Sequence, residues 1–319
     1  MKFKAIYEFI VKKGLEKDPR SKSEIKKALA LTRAEYNKLS AWEKTCFDKE
    51  RLSHPYDDTR ILYGSPLSEI KTVMVGIDME VGELLLADRL NEKGMGIDMV
   101  MTHHPEGRAL AGFYHVMGMQ KDILRKLGIS YEVGNDLLNE RMSEVARSVS
   151  CVNHMRHADA AGLLGIPYMC AHTPADNHVT EYLQKFLNRK KPKTLKNVID
   201  ALGSIPEYRD AAGKNAGPFI MIGKEKDAAG RIAVDMTGGT EGSRRVFPRL
   251  SQAGVNTLVG MHFSEQHFKS AQKEHINIIV AGHISSDTLG LNLLLDKLCG
   301  EDDFKIIPCS GFVRIKRRQ

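Results

Sequence analysis

The hydrophobic pattern of the chain alternates between short apolar runs and longer amphipathic stretches from about residue 66 onward. Strand-like runs lie at 72–77 and 97–102, and an amphipathic pattern typical of a helix lies between them at 80–93. A strand, a helix and a second strand in this order predict a parallel βαβ unit with a right-handed crossover. We therefore expect the α/β fold class.

The same alternation returns after a polar linker at 188–193. Before the linker, residues 117–164 are mainly helical and a strand-like run follows at 166–171. After it, we predict strands at 218–222, 231–236, 256–261 and 276–280, and helices at 242–252, 265–274 and 288–298. The pattern indicates two α/β lobes with mixed sheets flanked by helices. We place the first lobe at 66–190, with a helical insertion, and the second at 191–319.

Residues 1–65 read as a basic helical extension. Residues 1–60 hold 15 Lys or Arg and 10 Asp or Glu, so they carry +5 of the formal net charge of +7. Capping-box spacing at Ser21 and Glu24, and again at Thr32 and Glu35, predicts two short helices. Such a basic pair can bind nucleic acid, but helices of mixed charge are more often solvated faces or oligomer contacts. We expect the extension to be dispensable for any site further along the chain.

The number of cysteines and the hydropathy of the chain indicate the cellular compartment of the protein. The five cysteines are odd in number and scattered, which argues against a disulfide framework and favours a reducing environment. No apolar run approaches the length of a membrane span. We therefore expect a soluble cytoplasmic protein without membrane contact.

Two adjacent histidines, His103 and His104, follow the strand predicted at 97–102. Pro105 comes next, removes a backbone donor from the ladder and restricts the conformation of His104. Because side chains alternate along a strand, a break here allows both imidazoles to serve one site. Taken alone, the pair fits an ordinary loop after a strand equally well.

Three more clusters of metal-ligand residue types each follow a strand-like run, at 172–176, 261–267 and 281–287. Strand ends are where α/β proteins place their sites. Imidazole and carboxylate together suit zinc, iron or manganese, and the absence of cysteine from the clusters argues against a structural zinc finger or an iron–sulfur centre. The sequence therefore predicts a metal site in the cleft between the lobes.

These motifs resemble the family named for NGG-interacting factor three, some members of which are labelled GTP cyclohydrolase I type 2-like. The resemblance covers about residues 66–319 and rests on Gly76-Ile77-Asp78, Thr102-His103-His104-Pro105, His172-Thr173-Pro174-Ala175-Asp176, and Gly282-His283 with an acid four residues later. It implies a ring-like homo-oligomer, a hexamer, with two divalent metal ions in each chain. The ligands that it implies are His103, His104, Asp176, His283 and Asp287.

Two positions depart from the family pattern. Asp287 stands where the family usually has glutamate, so bridging of the metals by this shorter acid is open, as is a ligand role at one metal or through water. His262 stands where a carboxylate is expected near the metals. It is an extra ligand, a general base or a histidine that only hydrogen-bonds a loop.

An imidazole–carboxylate metal centre without a neighbouring cysteine or serine nucleophile favours hydrolysis by a metal-activated water. A small anionic substrate, a nucleotide or phosphoester, fits because two metals clamp the attacking and leaving oxygens. Ring opening of the cyclohydrolase type comes from the resemblance alone. Glu106 and Glu265, next to ligand clusters, are the candidate proton-transfer groups. The competing class is a metal-binding regulatory or interaction protein that forms a homo-oligomeric ring without turnover.

Overall fold

The computed structural model describes residues 1–317, in which nine strands form two sheets. In sequence order the strands are β1 (Thr59–Tyr63), β2 (Thr72–Gly76), β3 (Met99–Thr102), β4 (Tyr168–Ala171), β5 (Phe219–Ile222), β6 (Ile232–Asp235), β7 (Thr257–Gly260), β8 (Asn277–Val280) and β9 (Lys305–Pro308). The first sheet has the order β1-β4-β3-β2-β9, and the second has the order β5-β8-β7-β6. Helices flank both sheets, so the predicted fold class is confirmed.

The first sheet is mixed. β4, β3, β2 and β9 are parallel, and β1 runs antiparallel to β4 at one edge. All residues of β2 and β3 are buried, as expected of central parallel strands covered by helices on both faces. Helix α4 (Val81–Glu92) connects β2 to β3, which confirms the predicted βαβ unit.

The second sheet follows the same plan. β6, β7 and β8 are parallel, and β5 pairs antiparallel with β8. The helices after its strands are α12 (Phe247–Gln252), α13 (Glu265–Lys273) and α14 (His283–Leu298). α14 begins earlier than predicted because Gly282, at φ +108°, turns the chain from β8 directly into the helix. α12 begins later than predicted, after a 3-10 turn at Arg244–Val246.

Three helices open the chain: α1 (Phe3–Lys17), α2 (Lys22–Lys38) and α3 (Ala41–Cys46). The capping box of Ser21 and Glu24 is confirmed at the start of α2. The predicted second cap at Thr32 is wrong, because α2 continues through Thr32 and the threonine hydroxyl donates to the carbonyl of Ala28 one turn back. The second capping box is formed instead by Ser40 and Glu43 at α3.

The N-terminal segment is part of the core of the first lobe. Phe3, Ile6 and Ile10 of α1 are fully buried, and α1 packs on α9 (Thr173–Lys190). β1 is an edge strand of the first sheet, which sequence analysis did not predict. A chain that starts near residue 65 would lack both elements. That residues 1–60 are dispensable for metal binding stays a prediction.

The predicted helical insertion links the two lobes. It contains a 3-10 helix at Phe113–Met119, α6 (Gln120–Leu127), α7 (Tyr131–Ser150) and α8 (Arg156–Leu164). α8 packs on α4 beside the first sheet, whereas α6 and α7 pack their apolar side chains against the second. The remaining helices are α5 (Gly107–Gly112), α10 (Leu195–Gly203) and α11 (Pro206–Gly213). Within residues 1–317, no helix combines the length and apolar character needed to cross a membrane.

Helices α9 and α14 connect the cores of the two lobes. Ala175 and Leu291 belong to the apolar cluster of the first sheet, and Val179 and Leu289 belong to that of the second. The helices approach closely at Gly290, where a Cβ atom would lie 2.5 Å from the carbonyl oxygen of Ala175. This contact fixes the two helix N-termini, from which three of the predicted ligands project.

Candidate metal centre

The two adjacent histidines lie directly after β3. Their backbone amides donate to the carbonyls of Gly76 and Ile77, so the main chain stays tied to the end of β2. Both imidazoles nevertheless reach the same cluster, with ring centroids 5.3 Å apart. The structure thus brings both rings to one region directly after the strand, and their role as ligands stays a prediction.

The acids and the third predicted histidine come from the N-terminal turns of two helices. Asp176 lies in the first turn of α9, and His283 and Asp287 are spaced by four residues on α14, which puts them on one face. Ligand atoms of His103, Asp176 and Asp287 all lie within 4.8 Å of one another, as do those of His104, His283 and Asp287. The structure therefore brings all five residues together.

Several potential metal-ligand atoms of this cluster are buried without a hydrogen-bond partner among residues 1–317. His103 Nε2 lies 3.4 Å from both Asp176 Oδ1 and Asp287 Oδ1. Asp287 Oδ2 lies 3.5 Å from Nε2 of His104 and of His283. His103 Nε2, Asp176 Oδ1 and both oxygens of Asp287 are unpartnered among residues 1–317. A buried polar atom left without a hydrogen bond costs about 1–3 kcal/mol of folding stability. Four such atoms side by side are therefore the arrangement expected where a bound cation would contact all of them.

The other ring nitrogens of the histidines are held from outside the cluster. His103 Nδ1 lies 3.1 Å from the carbonyl oxygen of Ala171, and His104 Nδ1 lies 2.6 Å from Asp78 Oδ1. An Nδ1–H that donates to such an acceptor leaves the Nε2 lone pair free for a metal. Both rings thus present Nε2 to the shared acids.

His172 also belongs to this cluster, although sequence analysis did not select it as a ligand. Its Nε2 lies 3.7 Å from Asp176 Oδ2, and its ring centroid is 4.8 Å from that of His103. His103, His104 and His172 have ligand atoms within 4.8 Å of one another. The available signal was its spacing of four residues from Asp176 at the start of α9.

Opposite charges compensate each other within the cluster. Burial lowers the pKa of His103, but the carboxylates of Asp287 and Asp176 outweigh burial and raise it well above the ordinary value. Burial also opposes charge on His104, yet Asp287 and Asp78 raise its pKa to about 9. Burial raises the pKa of Asp287, but its histidine neighbours outweigh this and hold it far below the usual range. The buried acids thus require positive charge, which protons or metal ions can supply.

Comparison with known proteins identifies the fold to which this chain is similar. No family model matches the chain, and no curated protein gives a match. Among solved structures, the chain is similar to the NIF3 superfamily protein from Sphaerobacter thermophilus, with 27% sequence identity and a TM-score of 0.69 over 81% of this chain and 92% of that chain. The chain has the NIF3 superfamily fold. The resemblance predicted from the motifs is therefore confirmed.

A second structure supports the same fold. Reduced HcgD from Methanocaldococcus jannaschii matches the NIF3-like chain with a TM-score of 0.53 and 15% identity, over 85% of this chain and 97% of that chain. At this identity the likeness concerns the fold alone.

His262 lies at the rim of the cluster in the NIF3-like chain. Its Nδ1 is 3.1 Å from Glu241 Oε1, and its ring centroid is 4.7 Å from that of His283. The side chain is 49% exposed. The hydrogen bond to Glu241 raises the pKa of His262 despite partial burial. Glu241 also accepts a hydrogen bond from the backbone amide of Ser264, which fixes it between two loops of the second lobe.

The two predicted proton-transfer groups occupy different surroundings. Glu106 forms a separate group with Glu80 and His157. Burial, followed by the charges of Glu80 and Asp78, raises the pKa of Glu106 to about 7. Glu265 lies in the first turn of α13, where its exposed carboxylate pairs with Lys269. A role in proton transfer stays a prediction for both glutamates.

A small cavity leads from the cluster into the second lobe. His172, Asp176, Glu241, His262 and His283 contribute to its lining. Its volume is about 90 Å³, and the share of one water in the liquid is about 30 Å³. The cavity therefore has room for water beside the buried acids of the NIF3-like chain.

Proposed function

We propose that this NIF3-like chain binds two divalent metal ions, zinc, iron or manganese, and hydrolyses an anionic nucleotide or phosphoester with them. The observation that carries the proposal is the group of buried ligand atoms on His103, Asp176 and Asp287 that have no hydrogen-bond partner among residues 1–317. Imidazole nitrogen and carboxylate oxygen are ligands of these metals. The proposed ligands are His103, His104, Asp176, His283 and Asp287, with His172 as an additional imidazole.

The arrangement around Asp287 supports two ions rather than one. Its Oδ1 faces His103, whereas its Oδ2 faces His104 and His283. Each oxygen therefore belongs to a different group of three ligand residues, and both groups contain Asp287. Asp287 would therefore be a ligand residue for both ions, a role that the resemblance expects of the longer glutamate elsewhere in the family.

Two divalent ions would supply Lewis-acid activation of water and of a phosphoryl group. The side chains of the protein then have to bind, orient and move protons. His103 and His104 are oriented by their Nδ1 partners. His262 is held by Glu241 at the rim, a position that suits proton transfer better than a buried ligand role. Glu106 is a second candidate for proton transfer, and Glu265 is less favoured because its carboxylate pairs with Lys269.

The proposed substrate is anionic because the chain carries a formal net charge of +7, which attracts anions. The proposed assembly is a homo-oligomer, a hexamer by family resemblance. Light scattering on the eluting peak of a size-exclusion column tests the assembly. A monomer across a range of protein concentrations would contradict it.

Turnover tests the proposed activity. Metal-loaded full-length protein is assayed against nucleoside triphosphates, a phosphomonoester and a phosphodiester, with phosphate release and ultraviolet absorbance as readouts. We expect saturable turnover that falls at least about tenfold in Asp287→Asn. The exposed Asp303→Asn is the matched control and should retain the wild-type rate.

The same assay separates the enzyme from a binding protein. Wild-type protein that carries two ions yet turns over no member of the panel would overturn the hydrolase assignment. That result would favour the alternative, a metal-binding interaction protein without catalysis.

A further inference from the structure

Asp58 is a fully buried acid that lies outside every motif of the candidate metal centre. It immediately precedes β1, and the antiparallel register pairs Thr59 with Ala171 of β4. Because the two strands run in opposite directions, the residue before Thr59 lies opposite the residue after Ala171. The register thus places Asp58 beside His172, 114 residues away in sequence.

The contacts of Asp58 are directed at the start of α9. Its Oδ2 accepts hydrogen bonds from His172 Nδ1 at 2.8 Å and from Thr173 Oγ1 at 2.6 Å. The hydroxyl of Thr59 accepts from the backbone amide of His172 at 3.2 Å. Two adjacent residues of the N-terminal segment therefore fix both the ring and the main chain of His172.

These hydrogen bonds determine what His172 can do. With Nδ1–H donating to Asp58, the lone pair of the neutral ring is on Nε2. That nitrogen lies 3.7 Å from Asp176 Oδ2 and belongs to the group formed with His103 and His104. A carboxylate that holds the far nitrogen of a ligand histidine orients the ring and increases its basicity.

We propose that Asp58 is a positioning residue of the metal centre and acts through His172. The N-terminal segment thereby completes a site whose other parts come from β3, α9 and α14. This inference rests on the proposed function, because it assumes that a metal ion binds beside His172. It assigns a role to a residue that precedes all the ligand motifs.

Zinc affinity of the full-length protein, measured by competition with a chromophoric chelator, tests the inference without any substrate. Asp58→Asn keeps the shape and an acceptor oxygen but removes the charge. We expect the affinity for at least one zinc ion to fall about 10- to 100-fold. Asp98→Asn changes an acid at the opposite end of β3 from His103, where it accepts from the backbone amides of Lys71 and Thr72, so zinc affinity should stay within about threefold of wild type.

A double-mutant cycle distinguishes positioning from a general structural effect. If Asp58 acts through His172, Asp58→Asn should cause no further loss of affinity in the His172→Ala background. The visible spectrum of the cobalt-loaded protein should also change in Asp58→Asn, because a neutral amide holds the Nδ1–H of His172 less strongly and lowers the basicity of the ring. If Asp58→Asn does not fold, Asp58→Ser replaces it in the same cycle, as a smaller side chain that still accepts a hydrogen bond.

The outcomes separate this inference from the proposed function. Additive losses in the cycle, or wild-type affinity and spectrum in Asp58→Asn, would overturn the role of Asp58 alone, provided that His103→Ala loses zinc. A wild-type protein that binds no zinc, iron or manganese would overturn the proposed function itself.

Discussion

At the scale of single residues, the candidate site depends on pairs in which an outer acceptor orients an imidazole. Asp78 holds His104, and Glu241 holds His262. These outer acids matter for metal binding because the ring nitrogen that they hold determines which nitrogen is free. Asp287 differs from them because both of its oxygens face the cluster without a hydrogen-bond partner among residues 1–317.

His178 gives a prediction about pH at this scale. Its side chain is buried in α9, and burial, followed by the charges of Lys297 and Lys17, lowers its pKa from 6.5 to about 3. The folded state keeps the ring neutral, whereas the unfolded chain takes up a proton below about pH 6.5. Stability is therefore lost as the pH falls from about 6.5 toward 3, by up to roughly 1.4 kcal/mol per pH unit.

Urea unfolding of chelator-treated protein at pH 7 and pH 5 checks this expectation. His178→Leu should gain stability relative to wild type at the lower pH. The exposed His275, whose φ of +54° suits asparagine, provides the control His275→Asn. If His178→Leu and wild type differ by the same free energy of unfolding at both pH values, protonation of His178 is not the cause.

At the scale of elements, the crossing of α9 and α14 sets the distance between Asp176 and Asp287. Gly290→Ala would place a Cβ atom 2.5 Å from the carbonyl oxygen of Ala175, next to Asp176. We expect a loss of about 1–3 kcal/mol in the free energy of unfolding. Metal affinity should fall as well, because relief of the clash moves one helix N-terminus away from the other.

The matched variant is Gly82→Ala in α4, where an added Cβ has no heavy atom within 4 Å in the described part of the chain. It should raise stability by about 0.4–1 kcal/mol and leave metal affinity unchanged. Calorimetric unfolding and chelator competition measure both effects. Equal stability and affinity in the two glycine variants would show that the crossing does not control the site.

Elements with strong local signals were predictable from sequence. β2, β3 and β4 are short, fully buried runs, and their type follows from apolar content and flanking turns. β1 and β9 were missed because each is stabilised at an edge by pairing with a distant strand. The same limit applies to the site. His103 and Asp176 could be identified from strand ends, whereas Asp58 depends on a register that only the fold defines.

At the scale of the whole molecule, α1 is part of the core of the first lobe rather than an appendage. Ile10 of α1 is fully buried in the cluster of the first sheet. Ile10→Ala should lower the free energy of unfolding by about 2–5 kcal/mol. Leu31 in α2 is 52% exposed, and Leu31→Ala should change stability by less than about 0.5 kcal/mol.

Denaturant unfolding measures this contrast. Similar small losses in Ile10→Ala and Leu31→Ala would mean that α1 is a detachable segment. The domain boundaries near residues 65 and 190 stay predictions, and the same experiment on a chain beginning near residue 65 bears on the first of them.

Metal content per chain tests whether the residues around Asp287 hold two ions. Full-length protein is incubated with zinc, freed of excess metal and measured by elemental analysis beside Asp287→Asn and the exposed control Asp303→Asn. We predict about two ions per chain in wild type and in Asp303→Asn, and about one or fewer in a folded Asp287→Asn. Wild-type protein without zinc, or Asp287→Asn that retains both ions, would contradict it.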